Sequence, residues 1–527
     1  MGTNRRKIAV CDSETDPFKF GRNPQPFIWG FYDGDTYEDF RTTLEFIEFI
    51  HDKEYVVYAH NGGKFDFFFM ADFIDYLEPL TVINGRITKF KIGACEFRDS
   101  FAILPIPLAM HDKGKIDYAI FEPDEREKPE NMKAIRDYLY RDCVSLYDVV
   151  NRYVDEFGLN LTLASGAMKT WLKMSERNAP DSGDSFYHEF KKFYYGGRVE
   201  CFEKGLIDKP FKVADINSAY PYAMIHAHPY GTDYIETNEL PIDKNELHRS
   251  FIHMRARCLG AFPVRGKHAL EFPNDGEWRE MFVTGWEFDA ARDTGALVID
   301  EIYSVYQFLE TVEFTEYVNR FFAEKANAKA LNDSAGYILA KLHLNSLYGK
   351  FGANPENYEQ FITCAPEDID AISVAHNYEF AEMFGKHAIM VKPINEQSMR
   401  FYNVAVAASI TGFVRAYLWR AISSCSGVLY CDTDSIAAHD CSGLNYGKAV
   451  GQWDIEATCD HGGIAGKKLY AFHDINGKWK TASKGVRLGH SDIMRVCRGE
   501  VVKYAKDVPT YSLKSGIKFI EREVRIT

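Results

Sequence analysis

The sequence predicts an α/β multidomain chain, and three observations predict it. A length of 527 residues is several times the roughly 100–200 residues of a single domain. Hydrophobic residues supply 46% and charged residues 26%, globular proportions that exclude global disorder and fibrous repeats. Short apolar runs ending in turn residues alternate with segments whose apolar positions recur at helical spacing, the mark of strands mixed with helices.

The elements follow in order. Lys7 to Cys11 reads as a buried strand ending at Asp12, and Tyr55 to Ala59 as a second, ending in the turn His60-Asn61-Gly62-Gly63. Asn131 to Tyr153 has helical spacing, which completes an α/β domain of about 180 residues. Residues 179–185 are turn-rich and mark a boundary. A strand at Phe211 to Asp215 follows, then an irregular block with short strand-like runs at 228–318. Asn319 to Tyr348 reads as two helices broken near Asn332-Asp333-Ser334. Residues 355–400 read as irregular, about Asn403 to Ile422 as a helix, and Gly427 to Ala438 as a hairpin with Asp-Thr-Asp at its tip.

Composition restricts the chemistry. Eleven cysteines form no CxxC pair and 16 histidines form no HExxH, so neither a disulfide framework nor a structural zinc site is expected, and a reducing cytosol fits. No secretory apolar region follows Met1, and the longest apolar stretch, Val404 to Val414, is too short to span a bilayer. Aromatics reach 15%; composition alone favours large aromatic cores over base-stacking platforms. The net charge of −14 argues against a polyanion partner, but its distribution does not. From His461 to Thr527 there are 14 Lys and Arg against 6 Asp and Glu, leaving 48 against 70 in the first 460 residues. A basic segment on an acidic body suits a polyanion held locally, and equally suits a solvated basic face.

Two groups of residues carry chemistry. In the first, Asp12-Ser13-Glu14 and Asn61-Gly62-Gly63-Lys64-Phe65-Asp66 each follow a strand, and Tyr138 and Asp142 share one face of a helix. Four carboxylates (Asp12, Glu14, Asp66, Asp142) can hold two divalent ions, with Tyr138 orienting a water. Each piece alone is more simply a surface carboxylate; the order DxE, NxxxFD, YxxxD is specific. In the second group, Asp215-Ile216-Asn217-Ser218-Ala219-Tyr220-Pro221 follows a strand and Tyr430-Cys431-Asp432-Thr433-Asp434-Ser435 forms a hairpin tip. If those strands are neighbours, Asp215 and Asp434 can bridge two metals for phosphoryl transfer, with Asp432 secondary. Between them Lys341, Asn345 and Tyr348 fall within about 60° on one helix face, suiting a nucleoside triphosphate: phosphate on Lys341 and Lys329, base or sugar against Tyr348. Alone, that helix reads more simply as amphipathic, with Tyr348 in the core.

The three-motif N-terminal group resembles the DEDDy exonuclease domain of proofreading DNA polymerases. DxxSxYP, KxxxNSxYG and YxDTDS, in that order, resemble motifs A, B and C of family-B DNA polymerases. The chain most resembles the protein-primed branch from bacteriophages with linear genomes, of the tectivirus-like kind. The resemblance implies an RNase H-like 3′–5′ exonuclease domain and a right-hand polymerase domain of palm, fingers and thumb, with two terminal-protein-region insertions. It implies exonuclease at 1–180, palm at 181–227, first insertion at 228–318, fingers at 319–354, second insertion at 355–400, palm at 401–487 and thumb at 488–527.

The resemblance also implies roles. Lys113 would assist the exonuclease, and Thr15, Asn61, Phe65, Ser100 and Phe101 would contact single-stranded DNA, with Phe101 departing from the usual leucine. Tyr194, Gly196 and Gly197 match the YxGG/A linker that binds template. Arg415 closes a template-contacting Tx2GR-type motif whose glycine is displaced, and Lys468 and Tyr470 match the KxY motif at the primer end. Ser218 and Tyr220 would flank the nucleotide, Tyr220 excluding ribose. Implied cofactors are Mg²⁺ ions, with Mn²⁺ an alternative. Implied partners are template and primer DNA, dNTPs and a terminal protein, in a host cell cytoplasm, with no membrane and the chain acting alone or as a heterodimer with that protein. A primer-independent family-B polymerase is the rival.

Overall fold

The computed structural model describes residues 6–106, 116–393 and 400–526. Its largest sheet has ten strands built around Lys7–Thr15, which pairs in parallel with Tyr55–Ala59 and antiparallel with Pro26–Tyr32. The first strand runs past the expected stop at Cys11 and carries Asp12 and Glu14 within it. Its apolar residues Ile8 to Cys11 are buried between two layers, and pairing on both edges keeps the polar residues beyond them extended. The helix Pro129–Phe157, longer at both ends than expected, packs on one face through Ile135, Leu139, Cys143, Leu146 and Val150. Proline at its first turn costs no hydrogen bond there.

The block at 355–400 is not irregular. Tyr358–Cys364, His387–Pro393 and Glu379–Phe384 are strands, and Tyr358–Cys364 pairs with Leu80–Ile83, so this block extends the N-terminal sheet. Its side chains Phe361 and Ile389 enter the N-terminal core. The block at 228–318 is ordered too. His228–Thr237, Leu297–Val312, Ser250–Cys258 and Arg279–Thr284 form a four-stranded antiparallel sheet in that spatial order. The helix Gly285–Asp293 packs on it over a core including Ile252, Met254, Phe262 and Phe288. Frequent turn residues hid both sheets, because bulged strands in long hairpins break the simple alternation of apolar and polar positions.

The second large sheet runs Trp479–Ser483, Leu469–Asp474, Trp453–Gly466, Phe211–Ile216, Ser435–Asp440, Ser426–Asp432 and Val199–Cys201. The helices Thr315–Ala330 and Ser334–Phe351 are separated at the expected break, where Asp333 caps the second by accepting from Gly336 N–H. With Val404–Ser424 they close over a core that includes Ile216, Phe321, Leu344, Leu347 and Ile410. The chain ends in a helix, His490–Cys497, and a hairpin of Val502–Ser512 with Gly516–Val524. Among the described residues no helix is long and apolar enough to cross a membrane.

Candidate active sites

Asp12 and Glu14, two residues apart on one strand, point to the same face. Helix Pro129–Phe157 brings Asp142 to them, and ligand oxygens of all three lie within 4.8 Å of one another. Tyr138, one turn before Asp142, lies with its hydroxyl 3.2 Å from that of Tyr118. Ser13 points the other way and donates to Asp66 Oδ1 at 2.5 Å. Asp66, held by Ser13, falls outside that group of three but lines the same cavity as Asp12. Burial, with the Asp99 charge adding, pushes its carboxyl up to about 6 against the Ser13 hydrogen bond. The Gly62-Gly63 turn permits this placement: a Cβ on Gly63 would lie 1.9 Å from the Ile87 carbonyl.

Asp12, His60, Asn61, Phe65 and Asp66 line a cavity of about 490 Å³ whose other wall is the C-terminal hairpin from Lys506 to Tyr511. Tyr511 packs against Phe65, Phe68 and Phe69. No local motif marks Tyr511; only folding carries the chain's end to its beginning. Asn61 takes a left-handed turn and accepts from Arg86 at 2.8 Å. Thr15 is buried and donates to the Asp16 carbonyl, and Phe101 is half-buried beneath the Arg86 guanidinium. Ser100, an expected strand contact, is turned inward. It is fully buried, with its hydroxyl bonded to His60 Nδ1 (3.0 Å) and the Ala59 carbonyl (3.3 Å), so it positions His60. Lys113 lies outside the described residues.

In the second site, Ile216 N–H donates to the Asp434 carbonyl at 2.7 Å, and Asp215 pairs in register with Ser435. Asp215, on its strand, therefore sits beside Asp434, in the turn just before the neighbouring strand and some 220 residues away in sequence. Burial, then Asp434, then Glu456 push the Asp215 carboxyl up to about 7, with Lys480 opposing. Burial also raises Asp434; Asp432 adds to this and Lys468 opposes it. Glu456 carries no motif; it is the extra residue of a bulge between Ile455 and Ala457, two residues after Asp454, the register partner of Asp215. Such crowding, which adds to burial in raising Asp215 and Asp434, suits divalent cations. Asp432 is engaged by Lys468 Nζ at 2.7 Å to each oxygen, which ties the KxY segment to the hairpin tip.

Tyr220 and Tyr348 form one stacked pair, and Tyr348 is half-buried against the core. Ser218, in a left-handed conformation, starts the short helix that carries Tyr220. Asn345 folds back to donate to the Lys341 carbonyl at 2.8 Å. Lys325, which the motif reading missed, feels the charges of both Lys341 and Lys329, and burial with those charges lowers its pKa. Its spacing of four from Lys329 was the available signal.

Gly197 lies against the hairpin tip, where a Cβ would come within 2.8 Å of the Thr433 side chain; Thr433 N–H donates to the Arg198 carbonyl. Gly196 is exposed and Tyr194 half-buried against the core. Tyr470 stacks on Phe472, centroids 4.3 Å apart. Arg415, the expected template contact, is turned inward: its side chain is 1% exposed and pairs with the equally buried Glu287 at 2.7 Å. It donates to the Tyr195 and Gly196 carbonyls as well. It is a strut joining the four-stranded module to the linker.

Comparison with known proteins places the chain in a family. Residues 109–383 match the family described as DNA polymerase type B, organellar and viral. The DNA-directed DNA polymerase of Enterobacteria phage PRD1 is 36% identical, covering 99% of this chain and 98% of the relative. The DNA polymerase of Bacillus phage Nf is 23% identical over 91% and 90%. The fold superposes on Phi29 DNA polymerase complexed with primer-template DNA and incoming nucleotide substrates with a TM-score of 0.75, at 18% identity and covering 99% of this chain and 100% of that one. With two carboxylate centres in the family's order and this full-length relationship, the chain is a type-B DNA-directed DNA polymerase of the organellar and viral family.

Proposed function

We propose that this polymerase copies a linear viral genome in a host cell cytoplasm, starting each strand on a separate terminal protein, then elongating with strand displacement and proofreading. The observation that carries the synthetic half is the Ile216–Asp434 hydrogen bond, because it holds Asp215 and Asp434 side by side. Mg²⁺, or Mn²⁺ in its place, would be held by these two at one site and by Asp12, Glu14, Asp66 and Asp142 at the other; when bound, such ions activate the attacking oxygen and neutralise charge on the phosphate. The chain's own groups supply the rest. Lys325, Lys329 and Lys341 attract the triphosphate of a dNTP, and the Tyr220–Tyr348 stack borders its sugar. The Lys468–Asp432 pair steadies the turn beside the primer end.

In initiation, a Ser, Thr or Tyr hydroxyl of the terminal protein attacks the α-phosphorus, its proton leaves, and pyrophosphate departs; afterwards the attacking oxygen is the 3′-OH of the growing strand. The YxGG linker against the hairpin tip and the ordered modules at 228–318 and 355–400 support the protein-primed reading. The four-stranded module is the proposed docking unit for the terminal protein. The test incubates the chain with template, labelled dNTP and a candidate terminal protein. A nucleotide bound covalently to that protein is expected; labelled DNA made equally well with no protein or primer would instead assign primer-independent initiation.

A further inference from the structure

The paired strands Trp453–Gly466 and Leu469–Asp474 set His461 directly opposite His473. The register shifts between Cys459 and His461, and this irregularity brings the Asp460 carboxylate between the two rings. Asp460 Oδ1 lies 2.7 Å from His461 Nδ1 and 2.8 Å from His473 Nδ1. A ligand atom from each of the three lies within 4.8 Å of the other two. We propose that Asp460, His461 and His473 form a transition-metal site of the zinc class, distinct from both carboxylate centres.

The donor set argues for that class of ion. Asp12, Glu14 and Asp142 offer oxygen alone, which suits a hard cation such as Mg²⁺. Two imidazoles with one carboxylate instead suit Zn²⁺ and its neighbours, which favour nitrogen donors. Three protein ligands leave one tetrahedral position for water. The site is open enough to load, since the His461 and His473 side chains are 43% and 22% exposed. Both imidazoles already face one anion, so a cation needs only small side-chain rotations to replace the hydrogen bonds. Sequence patterns for zinc do not register this trio, because a histidine pair 12 residues apart is joined by hairpin register, not by a helix or a knuckle.

The location gives the site a consequence. Trp479 lies against both imidazoles, at 5.4 and 5.0 Å between ring centroids, and stacks on His490, the first residue of the C-terminal helix. The same two strands meet at the turn bearing Lys468. A bound cation clips the base of this hairpin and steadies both that turn and the junction with the C-terminal unit.

Calorimetric titration of the full chain with ZnCl₂ in excess Mg²⁺ tests the proposal. One Zn²⁺ per chain is expected, with affinity lowered at least about tenfold in His461→Ala and in His473→Ala. Affinity is retained in Asp215→Asn/Asp434→Asn. Zn²⁺ should raise the melting temperature of the parent but not of His473→Ala, and Co²⁺ should give the visible absorption of a four-coordinate site. Asp460→Asn preserves side-chain shape while removing the charge, so a weakened site in that folded variant supports the proposal even if an alanine variant fails to fold. Equal zinc affinity in the parent and all three variants, or no zinc uptake by the folded parent, overturns it.

Discussion

Tyr220 and Tyr348 stack face to face, with ring centroids 4.2 Å apart and planes inclined by 7°. One comes from the short helix after the Asp215 strand and the other from the helix bearing Lys341. The proposed nucleotide site would thereby be bordered by an aromatic wall whose two halves depend on each other. Tyr220→Val should admit ribonucleotides at least about tenfold more readily, the equivalent of about 1.4 kcal/mol of discrimination. Tyr348→Ala should raise KM for dNTP more than it lowers kcat. Incorporation kinetics with paired dNTP and rNTP decide both; unchanged sugar selectivity in Tyr220→Val rejects the steric role.

The two carboxylate centres should be separable. Asp434→Asn is expected to lower nucleotide incorporation by several orders of magnitude while 3′–5′ degradation of single strands persists. Asp12→Ala with Asp66→Ala should do the reverse. Gel assays of extension and degradation on the same labelled primer report both, and joint loss in either variant indicates misfolding.

Arg415 and Glu287 are each buried to about 1% side-chain exposure. Removing one partner leaves an uncompensated charge, so Arg415→Met should cost about 3–5 kcal/mol in urea unfolding. Arg415→Lys should recover only part, because one ammonium cannot reproduce the guanidinium's contacts with Glu287, Tyr195 and Gly196. If Arg415→Met keeps full stability and loses only template affinity, the strut assignment fails.

Tyr511 closes the wall of the first cavity from the far end of the chain. Tyr511→Ala, by opening the aromatic cluster with Phe65, Phe68 and Phe69, should weaken degradation of a mispaired 3′ end more than extension of a matched one. The ratio of the two rates on one primer measures this, and a proportional loss of both would argue for a purely structural Tyr511.

Histidine burial predicts an acid limb in stability. His228 is fully buried, bonded to Ser409 and to the Ala223 carbonyl, and burial holds its pKa down to about 3. His343 is held down to about 4 for the same reason. The unfolded chain takes up these protons near pH 6.5 and the folded chain does not. Their contribution is therefore complete above pH 6.5 and is lost as pH falls toward 3–4, by about 1.4 kcal/mol per pH unit for each group. Urea melts at pH 7.5, 6 and 5 should show the decline, and His228→Asn should flatten it by about half.

Much of this molecule was legible in the chain itself. Motif order located both carboxylate groups, and helical spacing located Tyr138 with Asp142 and Lys341 with Tyr348, because local periodicity sets which side chains share a face. The Asp333 break between two helices was equally readable, since an N-cap is a local hydrogen bond. What sequence could not supply was pairing between distant segments. The strand Tyr358–Cys364 joins the N-terminal sheet, Tyr511 reaches the first cavity, Glu456 crowds Asp215, and Arg415 turns inward to Glu287. Each of these depends on register and burial across hundreds of residues. Those are settled only when apolar faces close on one another, and no short window of sequence contains both partners.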